Sequence, residues 1–137
     1  MRELATGGSM LFNHYRLTAA GRSPGVMSLF WWEGWSGAWY LTSVCDLKGF
    51  SCPEAGVFMV VRREAWGQCT PLLIGSAKSI SDELYQHHGD ALLRAIKAGA
   101  TEIHVHLASE TAEQREIVME DIADGWRMPS EKSLQPV

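Results

Sequence analysis

The sequence predicts an α+β fold: a small mixed or antiparallel sheet with helices packed on it, preceded by an aromatic-rich β-hairpin. Three observations carry this. Turn signals split the first half of the chain into paired β-prone runs. Two helical patterns follow, each closed by glycine. An alternating strand then leads into one last amphipathic helix. At 137 residues, with 46% hydrophobic and 20% charged side chains, the chain is sized for a single domain with a normal core.

The elements follow in order. Residues 1–26 are rich in Gly, Ser, Thr, Ala and Arg and hold neither a two-residue nor a 3.6-residue period, so they read as a loose arm. A strong β pattern begins straight after Met27, which raises the expectation that Met27 or Met10, rather than Met1, is the natural start. Leu29 to Val44 carries Phe30, Trp31, Trp32, Trp35, Trp39 and Tyr40, with Glu33-Gly34 and Ser36-Gly37 as turn signals, which predicts a hairpin. Residues 46–54 form a loop around Lys48-Gly49 and Pro53. Gly56 to Arg62 is a nearly continuous apolar run, as in a strand buried on both faces. Trp66-Gly67 marks a second hairpin tip, and Leu72 to Gly75 returns from it.

Ser79 or Ser81 is placed to cap a helix running to His88 and stopped by Gly89. Asp90 is placed to cap the next, with Leu92, Leu93 and Ile96 at helical spacing and Gly99 at its end. Ile103, Val105 and Leu107 alternate with Glu102, His104 and His106, the pattern of a half-buried strand. From Thr111 to Trp126, Val118, Met119, Ile122 and Trp126 share one helix face. Glu113, Glu116, Glu120 and Asp124 share the other. The domain therefore spans 27–132, with 27–54 as aromatic hairpin and loop and 55–132 as the core; 133–137 is a tail.

Charge and cysteine content exclude several functions. A net charge of −4 offers no basic face for tight, nonspecific nucleic-acid binding. No apolar run is long enough to span a membrane, and no signal pattern opens the chain, so the expected location is cytoplasmic. Cys45, Cys52 and Cys69 are odd in number and lack Cys-x-x-Cys spacing, which argues for reduced thiols rather than disulfides or a cysteine zinc site. His104 and His106 leave one face of their strand, a weak metal-site pattern that also fits a polar strand face. The aromatic hairpin predicts a protein partner or self-association; nucleic acid is disfavoured by charge.

Several short motifs occur together. Gly-Val-Phe stands at 56–58 and Leu-Ile-Gly at 73–75. A helix ends Glu83-Leu84-Tyr85-Gln86-His87. A later helix bears Glu120, nine residues before Pro129. In order and spacing these pieces resemble the GIY-YIG nuclease domain over about residues 55–132. The resemblance implies phosphodiester hydrolysis with Mg²⁺ or Mn²⁺ held by the glutamate, helped by two tyrosines, an arginine and an asparagine. Carried onto this chain, the tyrosine positions are Phe58 and Leu73, the arginine position is Glu83, and the asparagine position falls near Glu131 or Lys132. Only Glu120 is kept. Phe58 and Leu73 have no hydroxyl to relay a proton, and Glu83 would repel a phosphate. The resemblance thus implies a degenerate, non-catalytic binding module whose former cleft is lined by Phe58, Leu73, Gly75, Lys78, Glu83 and His87. The alternative is a divergent metal-dependent endonuclease with Glu120 as its ligand and displaced groups such as Lys78, Arg94, Tyr85 and His87 in place of the lost ones. The binding reading calls for no cofactor; the endonuclease alternative calls for Mg²⁺ or Mn²⁺.

Overall fold

Two hairpins with the same turn build most of the sheet. The structure, a computed structural model, describes residues 26–127. Strand β1 (Val26–Glu33) turns into β2 (Trp39–Asp46), and β3 (Gly56–Arg63) turns into β4 (Cys69–Ala77). In the first turn Gly34 N–H donates to Ala38 O and Gly37 N–H to Gly34 O. In the second, Glu64 N–H donates to Gln68 O and Gly67 N–H to Glu64 O. Gly37 and Gly67 sit at φ +93° and +97°, where a side chain is strained, so each turn needs its glycine. Both returning strands extend past the sequence expectation; β4 begins at Cys69 rather than Leu72.

The last strand, β5 (Glu102–His106), enters between the hairpins, giving the order β1-β2-β5-β3-β4. It pairs antiparallel with both neighbours: Ser43 stands opposite Val105 on one side, and Phe58 opposite Val105 on the other. The sheet is wholly antiparallel, and the aromatic hairpin belongs to the same sheet as β3 and β4. Because β2 and β3 both run against β5, the two hairpin tips lie at opposite ends of the sheet.

Each face has its own core. On one, Phe58, Val60, Leu73, Ile103 and Val105 pack with Ile80, Leu84, Leu92 and Ala95. These come from α1 (Ile80–Asp82), the π-helical turn Glu83–His87 that continues it, and α2 (Gly89–Lys97). On the other, Phe30, Trp32, Val44, Val57, Met59 and Ile74 pack with Val118, Met119 and Ile122 of α3 (Ala112–Gly125). Thr111 closes α3 with a capping box: its side chain accepts from Gln114 N–H, and Gln114 reaches back to Thr111 N–H.

Four expectations change. β5 is buried on both faces, not half-buried, because α3 covers the face of Glu102, His104 and His106. Ser79 and Asp90 make no side-chain cap; Ser81 Oγ instead accepts from Cys52 N–H and ties the loop to α1. The first helix leaves α geometry after Asp82 and finishes as a π turn. Leu93 and Ile96 point to solvent, since Ala95 rather than Ile96 joins Leu92 in the core. The expectations for residues 1–25 and 128–137, including Pro129, Glu131 and Lys132, lie outside the described residues. Among the described residues, no helix is long and apolar enough to cross a membrane.

Gly75 shows how the sheet constrains sequence. It stands opposite Phe58, and an added Cβ would come within 2.7 Å of the Phe58 ring. Gly75→Ala is therefore expected to cost about 1–3 kcal/mol through overpacking. Urea denaturation checks this as a lowered midpoint at unchanged slope.

Candidate functional site

The motif residues divide between the two faces of the sheet. Phe58 and Leu73 are fully buried in the core under α1 and α2, and Gly75 is closed by the Phe58 ring. Glu83 is half-buried and bonds His88 Nε2 at 3.1 Å, while the His88 ring meets Phe58 edge-on. Lys78 and His87 are exposed on this side. Glu120 lies on α3, whose apolar residues pack on the opposite face of the sheet. It is exposed in an open groove with Ala112, Glu113, Glu116 and Ile117. The sheet thus stands between Glu120 and the pocket positions that the resemblance groups with it. Among the described residues, no phenol or guanidinium joins the groove lining.

The histidines of β5 also separate. His106 Nδ1–H donates to Leu41 O at 2.9 Å, and its ring stands against Tyr40. His104 has different partners. Trp32 Nε1–H donates to His104 Nδ1 at 3.0 Å. An indole can only donate, so Nδ1 must accept and the ring proton sits on Nε2. That Nε2–H donates to Glu102 Oε1 at 2.9 Å. Arg63 grips the same carboxylate twice, through Nε to Oε2 at 2.6 Å and Nη2 to Oε1 at 2.9 Å. Its guanidinium lies over the Phe30 ring and donates once more to Gly67 O. A continuous polar chain therefore runs Trp32–His104–Glu102–Arg63 through β1, β5 and β3.

The chemistry of this chain follows from its hydrogen bonds. Burial holds His104 neutral, lowering its pKa against the opposing pull of Glu102. Burial alone would raise Glu102, but the hydrogen bonds from His104 and Arg63 outweigh it and hold the carboxyl at about 2. With both ring nitrogens engaged and no surface exposed, His104 has no lone pair free to act as a base.

A cation fares no better. Cys69 Sγ, a Glu102 oxygen and a His104 nitrogen lie within 4.8 Å of one another, which is metal-ligand spacing. A metal on Nε2 would force the ring proton onto Nδ1, against the Trp32 donor. Burial pushes the Cys69 thiol up to about 12, and Arg63 adds a positive charge beside the carboxylate. These donors build a locked structural network and do not fit a metal.

The accessible chemistry is at the first hairpin tip. Asp121 of α3 accepts from Ser36 N–H at 2.8 Å, Ser36 Oγ–H at 2.6 Å and Tyr40 O–H at 2.7 Å. Trp35 N–H donates to the Asp121 backbone oxygen at 2.9 Å. Although burial acts to raise the Asp121 pKa, these bonds lower it overall. The tip is thus pinned to the helix. On it stand Trp35, 70% exposed, and Trp39, 36% exposed. At the far end of the sheet, Trp66 is 74% exposed on the second tip.

The sequence named Glu102, Cys69, Ser36 and Tyr40 only as strand, thiol, turn and aromatic residues, and it did not mark Arg63 or Asp121 as their partners. The one available signal was the pairing of Glu102 and His104 on a strand face, which looked solvent-facing. No family model matches the chain, and neither a curated protein nor a solved structure matches it.

The network sets an acid-sensitive stability. His104 is depressed from 6.5, so below that pH the unfolded chain takes up a proton that the folded chain refuses. Its contribution is complete above about pH 6.5 and is lost as the pH falls. Glu102 contributes above its unfolded value of 4.5, and that share is lost as pH falls towards about 2. Denaturation of His104→Leu between about pH 5 and 7 should show a shallower pH slope than the parent. Glu102→Ala should cost about 2–3 kcal/mol, moderated because Arg63 keeps some water.

Proposed function

We propose that this chain is a non-catalytic, protein-binding module on a degenerate GIY-YIG-like fold. One observation carries the reading: Trp35 is held out to solvent on a tip that four hydrogen bonds to Asp121 fix in place. Ordering an exposed aromatic before contact lowers the entropy cost of binding, and tryptophan is enriched among residues that dominate interface energy. A net charge of −4 and the acidic outer face of α3 favour a protein over a nucleic acid as partner. Three free, buried thiols fit a cytoplasmic location.

The separation of Glu120 from Phe58, Leu73 and Glu83 supports the absence of catalysis. Removing one electrostatic stabiliser costs ~10²–10³ in rate, and among the described residues no cationic side chain lines the groove beside Glu120. The second reading, a divergent endonuclease, rests on that same groove, where Glu113, Glu116 and Glu120 could hold Mg²⁺ or Mn²⁺.

Two experiments test these readings. Supercoiled plasmid incubated with the protein and Mg²⁺ or Mn²⁺ should stay intact, with Glu120→Ala indistinguishable from the parent. Nicking that disappears in Glu120→Ala would overturn the non-catalytic reading. In affinity capture with parent and Trp35→Ser baits, a partner should be retained by the parent and lost from the variant. Identical capture by both baits would refute the tip as the binding element.

A further inference from the structure

We propose that α2 pairs antiparallel with α2 of a second copy of this chain, with Leu93 and Ile96 of both copies at the seam and Asp90 of each facing Lys97 of the other. The contact is separate from the Trp35 tip, which is tied to α3 on the opposite face of the sheet.

The helix is apolar on two sides. Leu92 and Ala95 are buried against the sheet. Leu93 and Ile96 stand beside them, 59% and 45% exposed. A single exposed apolar side chain is ordinary, but these two follow Gly89 at a four-then-three spacing, which is the seam of a helix pair. Gly89 has open space where a Cβ would stand, so a second backbone can come close there.

Charge selects the occupant and its direction. Asp90 and Lys97 stand on the same flank of this seam, one at the start of α2 and one at its end. Among the described residues neither makes an ion pair. Arg94 lies further round the helix, away from the seam. Set antiparallel, two copies of α2 bring Asp90 of one beside Lys97 of the other, and the two-fold axis repeats the pair at the far end. That arrangement also lays the positive end of each helix dipole beside the negative end of its partner. A parallel arrangement would set like charges at the same level.

A face that complements itself in this way calls for a second copy of the same chain. The seam is short, which fits an association that forms at high concentration and reverses on dilution. The dimer carries two Trp35 tips, which raises the avidity for a partner with repeated sites that both tips reach.

Sedimentation velocity of the full chain over a concentration series should show a dimer that dissociates on dilution. Leu93→Ser removes an exposed apolar side chain from each copy and should raise the dissociation constant at least ~10-fold, with an unchanged far-UV spectrum. Asp90→Lys and Lys97→Asp should each weaken the dimer ~5-fold or more, and an equimolar mixture of the two should restore it. Trp35→Ser should dimerise like the parent. Should a charge variant not fold, the Leu93→Ser result decides. The proposal is overturned by a parent that is monomeric at every concentration, by a dimer that Leu93→Ser leaves intact, or by folded charge variants whose mixture associates no better than either alone. A dimer that Trp35→Ser alone dissociates would also overturn it. A monomeric parent whose partner capture still depends on Trp35 would sink the helix pairing and leave the tip reading intact.

Discussion

The grip of Arg63 on Glu102 is the constraint from which much of this structure follows. A carboxylate with a side chain only 10% exposed must have partners, and here it has two. Arg63 supplies charge and two parallel hydrogen bonds; His104 supplies a neutral donor. The requirement then passes outward. His104 can donate to Glu102 only if its other nitrogen accepts, and Trp32 provides that donor from β1. One buried charge therefore dictates side chains on three strands, and pins the aromatic hairpin to the strand that separates it from β3. The cost of burying this network falls on stability; its return is a single register for β5, because a one-residue slip would turn Glu102 and His104 to the other face.

The same logic explains why the nuclease-like motif residues need no catalytic role. Phe58 and Gly75 form a large–small pair across two strands, with the ring filling the space that a side chain on Gly75 would take. Leu73 completes the core beneath Leu84. Glu83 is engaged by His88. Each has a packing or pairing duty on its own side of the sheet, while Glu120 sits on the solvent side of a helix across it. What the motif's spacing records in this chain is a strand–turn–strand–helix geometry.

Much of the fold was legible in the sequence, and the limits have physical causes. The hairpins were readable because each turn depends on a glycine with positive φ, a local demand that leaves a local mark. Gly99, at φ +105°, ended α2 as expected for the same reason. The position of β5 was not readable: nothing within Glu102–His106 states that its neighbours lie some 60 residues earlier on one side and 45 on the other. Nor could alternation tell a wet polar face from one covered by a helix and satisfied internally. Glu102, His104 and His106 belong to the second kind, and the decisive partners, Trp32 and Arg63, are distant in sequence. Leu93 and Ile96 misled in the opposite sense, being apolar at helical spacing yet exposed.

The central strand is also the last to be made. Until residue 106 leaves the ribosome, β2 and β3 are inner strands without their shared neighbour, each with a row of open backbone groups. The two hairpins, rich in tryptophan and valine, can complete the sheet only once β5 is available to pair with both. That order of assembly makes folding strongly cooperative and slow to nucleate, since the long loops are closed before the non-local contacts repay them. It also exposes the newborn protein to mispairing with its neighbours, so crowding on a polysome would penalise it more than a protein whose middle strand is made first.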